Sequence, residues 1–238
     1  MNEAQYVRRE LDAHYRPAGE VGENTVRYDR KDGTGSLLLR TLPAGVSPAA
    51  FARLVGVENH RVARVLDVAE EGDGFLVLTE FVPGTTLAER LRTGDPTRSE
   101  IRRIARDLCD ALIELHESGV AHKDLKPENV ILDGKGRATL IDLGIATVFD
   151  EGRSPKTAAL GTVGFAAPEQ FGFNRTDART DLFAFGVVLN LMLTHKHPTV
   201  KRYRRGKYGR ILKKCLATAP EDRYQNARAL KRAHLSPW

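Results

Sequence analysis

Between residues 80 and 84 the hydrophobic period of this chain changes from about two to about 3.6, and that change limits what it can fold into. Upstream lie "NTVRYDR", "SLLLRTL", "VARVLDVAE" and "GFLVLTEFV", apolar and β-branched runs separated by "KDGTG" and "EGDG". Asp32 and Gly33 are expected to supply the positive φ angles of a hairpin turn. A short helix is expected in "SPAAFARLVG", with Ser47 as N-cap and Pro48 in its first turn. Downstream of "VPGTT" the pattern is helical: Thr97 and Glu100 read as a capping box before Ile101, Ile104, Leu108, Leu112 and Leu115, a segment ending near Gly119. A second segment, "RTDLFAFGVVLNLML", is apolar nearly all round and is therefore expected at the centre of the fold. Two shorter helical patterns follow in "GRILKKCLA" and "NARALKRAHL". The fold class is α+β, a β-rich part followed by a larger helical one, without internal repeats.

The 238 residues hold enough apolar side chains for a buried core. No window reaches the roughly 18 uninterrupted apolar residues of a membrane span, and "MNEAQYVRRELDAHYRP" has no apolar signal-peptide core, so a cytoplasmic chain without a transmembrane segment is expected. Cys109 and Cys215 sit in apolar helical patterns without metal-ligand spacing and read as reduced core thiols. The net charge of +6 is concentrated in "KRYRRGKYGRILKK" (201 to 214), which carries eight Lys or Arg, and no acid lies between Asp181 and Glu221. Such a stretch attracts an acidic protein, anionic lipid or nucleic acid, or is a solvated face; without interleaved stacking aromatics, nucleic acid is the weaker reading.

Two stretches carry candidate chemistry. "GVAHKDLKPENVIL" (119 to 132) crowds His122, Lys123, Asp124, Lys126, Glu128 and Asn129 between the capped helix and a short apolar strand. It is either a solvated loop or a catalytic one. In "LIDLGIA", Asp142 interrupts an apolar run, and a carboxylate there needs a cation or hydrogen-bond donors.

The order "HKDLKPEN", "DLG", "GTVGFAAPE", "DLFAFG" and "PEDRY" resembles the catalytic domain of eukaryotic-like, Hanks-type bacterial serine/threonine protein kinases. The resemblance implies a bilobal protein-kinase-like fold and a single domain over 1–238: a small β-rich N-lobe at about 1–80, a hinge at about 80–86 and a helical C-lobe at about 87–238. It implies ATP and Mg²⁺ as cofactors and a protein as substrate. By resemblance Asp124 orients the substrate hydroxyl and accepts its proton, and Lys126 reaches the γ-phosphate. Asn129 and Asp142 become metal ligands; Gly19, Val26, Arg40, Glu80, Val82 and Ile131 line the nucleotide. In the activation segment that the resemblance places between Asp142 and Glu169, Thr162 bonds the catalytic pair, Thr157 is the expected phosphorylation site with Ser154 behind it, and phosphorylated Thr157 pairs with Lys123. Copies phosphorylating each other as a dimer also follow. His122, Glu169 with Arg223, and Asp181 read as architectural.

The N-terminal part departs from the family. Arg40 stands where a lysine contacts phosphates and Leu38 where a small alanine roofs the adenine. In "GEVGENTV", Val21 and Asn24 replace two glycines, although a backbone approaching phosphate favours residues without Cβ. The glutamate expected near Phe51 is missing. Two readings therefore stand: a kinase with a divergent nucleotide grip, or a pseudokinase acting as a non-catalytic interaction module. A small-molecule phosphotransferase is disfavoured by "APE" and the long activation segment. The space before "RILKKCLA" is too short for the docking helix of relatives, and the basic stretch there is expected to recruit acidic substrates.

Overall fold

The computed structural model describes residues 2–58, 60–149, 161–171 and 176–235. They divide into two compact units, Met1–Asn59 with Ala63–Val82, and His60–Val62 with Pro83–Trp238.

The first unit opens with a helix, α1 (Glu3–His14), that a strand-like reading of this region misses. Its signal was present: Asn2 and Gln5 form a capping box, and Ala4, Val7 and Leu11 recur on one face. Strands β1 (Tyr15–Gly22), β2 (Thr25–Arg30) and β3 (Ser36–Leu42) follow, then a single helical turn, α2 (Ala49–Ala52), then β4 (Val65–Glu71) and β5 (Gly74–Glu80). They form one antiparallel sheet in the order β1-β2-β3-β5-β4. Successive side chains of a strand alternate between faces, and this sheet uses the alternation to build its core. Leu39 and Leu76 join Ala4, Val7 and Leu11 of α1, with Leu37, Tyr28 and Leu78 around them. Arg8 fixes the helix further by a bidentate pair with Glu71 at 2.7 and 2.9 Å.

Two local expectations change. Of the Asp32-Gly33 pair only Gly33 has positive φ, at 78°; Asp32 instead accepts from the Thr34 amide. At α2 the N-cap position belongs to Pro48, with Ser47 one residue earlier, accepting from the Ala49 amide at 3.3 Å.

The second unit contains β6 (Thr85–Thr86), α3 (Leu87–Arg92), α4 (Arg98–Glu117), β7 (Val120–Ala121), β8 (Val130–Leu132), β9 (Ala138–Leu140), β10 (Thr147–Val148), α5 (Ala178–Thr194), α6 (Gly206–Cys215) and α7 (Ala227–Leu235). The Thr97–Glu100 capping box starts α4 as expected, and α5 buries residues on every side, including Leu182, Phe185, Val187 and Val188. Both cysteines are buried and reduced; burial pushes the Cys215 thiol up to about 12. Small antiparallel pairings, β6-β8-β9 and β10-β7, pin the loops between helices. Among the described residues no helix is long and apolar enough to cross a membrane.

Candidate active site

The loop after α4 is held from below by one carboxylate. Asp181, in the first turn of α5 and fully buried, accepts from the backbone amides of His122 at 2.9 Å and Lys123 at 2.8 Å, and from the His116 ring at 2.8 Å. Burial by itself would raise its carboxyl, but the His116 hydrogen bond, the nearby His116 and His122 rings and the Lys123 amide outweigh it and hold it below the usual range. The His122 ring is buried and reaches the Ile141 carbonyl at 3.0 Å, which ties the Asp124 loop to the strand end carrying Asp142. That is the architectural role expected for His122. Gln170 completes the cradle: its amide donates to the Lys123 carbonyl at 3.0 Å and accepts from the Ala167 amide. Neither Gln170 nor His116 stood out in sequence, because nothing local to either residue points to a partner dozens of positions away.

On this base the candidate residues converge. Lys126 Nζ lies 2.7 Å from Asp124 Oδ2 and donates to Thr162 Oγ1 at 2.8 Å; Thr162 donates to Asp124 Oδ1 at 2.7 Å. The three side chains close a triangle, with Asn129 Nδ2 adding bonds to the Asp124 carbonyl and Oδ2 at 2.9 and 3.1 Å. Both oxygens of Asp124 are thereby oriented, while the Asp124 and Lys126 side chains stay 14 % and 21 % exposed, enough for a reactant to reach them. The Ile141 amide donates to the Asn129 carbonyl at 2.9 Å, so Asp142 follows directly on a strand end bonded to Asn129. Asp142 and Lys123 have φ of 64° and 66°, a left-handed conformation that costs energy for residues with a Cβ and clusters at functional sites. Asn129 spends its NH₂ on Asp124; its Oδ1 and the Asp142 carboxylate are hard oxygen donors, the kind a divalent cation takes. Ile131 lies one residue before the end of β8, paired to Thr86 and Thr139.

Lys123 is 7 % exposed, and burial lowers its pKa, with the Asp181 charge opposing. Thr157 and Ser154 lie outside the described residues. Glu169 and Arg223 form the expected pair, bidentate at 2.6 and 2.8 Å and fully buried.

The remaining candidates belong to the first unit. Gly19 has φ of 116°, a conformation open to glycine, at a register shift in β1. A two-residue turn at Glu23-Asn24 closes β1 onto β2, where Asn24 takes φ of 53°. The register sets which residues of β2 lie on the face of Arg40. Thr25 pairs with Arg40 and Val26 with Leu39, so Val26 shares the face covered by α1, while Thr25, Arg27, Leu38 and Arg40 share the opposite face. The cause is the length of the β2–β3 connection, since one residue of register exchanges the faces. Thr25 is buried and receives a 3.2 Å bond from Arg40 Nε. Arg27, which the sequence did not single out, lies over the Phe81 ring at 4.2 Å and bonds Asp29 at 2.7 Å. Glu80 is tied to Arg64 by its carboxylate, at 2.8 Å to Nε, and Val82 ends the unit. Near Phe51, where a glutamate was sought, the single turn of α2 instead buries the phenyl ring.

Comparison with known proteins completes the picture. A family model described as a protein kinase domain matches residues 52–234, beginning after β3. The serine/threonine-protein kinase pkn2 of Myxococcus xanthus is 34 % identical over 155 residues, 62 % of this chain and 19 % of its own length. PrkC of Bacillus subtilis is 29 % identical over 144 residues, 60 % of this chain and 22 % of its own. The probable serine/threonine-protein kinase pknA2 of Bifidobacterium longum is 32 % identical over 145 residues, 60 % of this chain and 19 % of its own. The matched stretch thus spans about a fifth of the length of these curated relatives. With the family model covering most of the chain and the Asp124 loop assembled as above, the chain belongs to the protein kinase domain family.

Proposed function

We propose that this chain is a serine/threonine protein kinase domain that transfers the γ-phosphate of Mg-ATP to protein hydroxyls, with a divergent nucleotide grip. The observation that carries this reading is the closed triangle of Asp124, Lys126 and Thr162. Phosphoryl transfer needs little covalent work from the protein and depends on positioning and charge. Asp124, held at both oxygens, orients a substrate hydroxyl and takes its proton. Lys126 places a cation beside the group that is transferred. Asn129 and Asp142 would hold Mg²⁺, which neutralises phosphate charge when bound. Arg40 offers a cation from the sheet face it shares with Leu38, anchored at its Nε by Thr25. Thr157 phosphorylation, between copies and paired with Lys123, belongs to the same reading.

The pseudokinase reading has its own support in the one-turn α2 with Phe51 buried. Mass spectrometry of the purified chain after incubation with Mg-ATP and a generic protein substrate decides between them. Phosphate on serine or threonine is expected with the wild type, reduced by about 10² to 10⁴ in Asp124→Asn and absent in Asp142→Ala. No labelling with the wild type, and no thermal stabilisation by ATP with or without Mg²⁺, would establish the pseudokinase.

A further inference from the structure

The second unit carries a groove apart from the Asp124 loop. It encloses about 480 Å³ and is lined by Arg98, Ser99 and Arg102 of α4 and by Tyr208 of α6. Arg98 and Arg102 are exposed and stand four residues apart on the helix, a like-charge spacing that destabilises it. Arg98 is also the first residue of α4, where the positive pole of the helix disfavours a cation. Among the described residues neither guanidinium is paired with a carboxylate. The nearest acid in sequence, Glu100, is turned toward Arg90 at 3.0 Å and the Thr97 amide at 2.8 Å. Lys207 of α6 is buried, and after burial itself the charges of Arg102 and Arg210 are what lower its pKa, so its ammonium stands in the same positive field. The floor is Tyr208, 3 % exposed, with its ring 5.9 Å from that of His234. Two cations of α4 thus face one groove at a cost to that helix.

We propose that this groove docks a phosphorylated segment of a protein substrate, one that already bears a phosphoserine or phosphothreonine. The proposal rests on the reading of the chain as a protein kinase. A phosphoryl group brings nearly two negative charges and three acceptor oxygens, which two guanidinium forks match better than they match a carboxylate. Single-stranded nucleic acid would need an exposed aromatic face for its bases, and the Tyr208 ring is covered. Within the basic stretch 201–214, Lys207 is buried rather than on an open surface, and the groove's cations come from α4. The domain then favours partners that another phosphorylation has marked.

Fluorescence anisotropy on the whole chain, without nucleotide, tests this with three probes: a short labelled peptide with one phosphoserine, the same peptide with serine, and a single-stranded oligonucleotide. The phosphopeptide is expected to bind at least about tenfold more tightly than the serine peptide. The double variant Arg98→Ala/Arg102→Ala is expected to lose about tenfold or more, Arg102→Lys less, neither with a melting temperature below that of the wild type. Equal binding of the two peptides, wild-type affinity in the double variant, or stronger binding of the oligonucleotide than of the phosphopeptide overturns the proposal. Asp124→Asn is expected to bind the phosphopeptide as the wild type does. Docking and phosphotransfer are therefore read separately, and an inactive domain that docks refutes only the catalytic reading.

Discussion

Replacing Glu169 by glutamine should be among the most damaging isosteric changes this fold can receive. Arg223 is fully buried, and its guanidinium makes five hydrogen bonds: two to Glu169 and one each to the carbonyls of Ala217, Arg179 and Thr218. Glu169 also accepts from the Thr180 hydroxyl at 3.0 Å. A glutamine amide at this position would keep the shape but remove the carboxylate that pairs with the cation, and would turn an NH₂ against a donor. Removing one partner of a buried pair costs about 3 to 5 kcal/mol, because the other charge stays buried without compensation. For a chain of this size that corresponds to a fall of about 6 to 20 °C in melting temperature. Urea unfolding and thermal melts of Glu169→Gln, Arg223→Met and the double variant measure it. The double variant should be destabilised by less than the sum of the singles, since each single already forfeits the pair. A loss below about 1 kcal/mol in Glu169→Gln, or strict additivity, would refute the assignment of this pair as a buried, mutually dependent strut.

Two further outcomes follow from local geometry and titration. At Gly84 (φ 152°) a Cβ would overlap the Leu132 carbonyl and lie 2.6 Å from Ile131 Cγ2, so Gly84→Ala should displace β8 and destabilise the fold by well over about 1 kcal/mol in urea unfolding. His234 is held neutral: burial first, then the charges of Lys207, Arg102 and Arg106, lower its pKa from 6.5, against a bond from its ring to the Arg102 carbonyl. The folded chain therefore binds fewer protons than the unfolded one just below pH 6.5, and stability falls as pH drops from there toward the folded pKa. His234→Gln should flatten that slope in unfolding free energy measured between neutral and mildly acidic pH; an unchanged slope would show that the ring titrates normally.

Much of the site was legible because its residues are close in sequence. Asp124, Lys126 and Asn129 share one loop, and a loop that crowds charges between a capped helix and a buried strand has few bland explanations. Asp142 was legible for a different reason, since a carboxylate within an apolar run demands partners. Less of the first unit could be read. The capping box of α1 is local, but the strand-like runs directly after it dominate the hydrophobic pattern of that region. The face occupied by Val26 could not be read at all: register depends on the exact length of the β2–β3 connection, and a shift of one residue exchanges the two faces of a strand.

What the sequence determined by itself was therefore the order of elements and the identity of the chemistry, because hydrophobic period, caps and clustered charges are encoded within a few residues of one another. Tertiary structure alone decided which distant groups meet. It chose His116 as a further partner of Asp181 and set Thr25, not Val26, opposite Arg40. It also brought Arg98 and Arg102 of α4 and Tyr208 of α6 around one groove. Such meetings depend on how helices and strands pack in three dimensions, and a local pattern carries no record of the neighbour that packing brings.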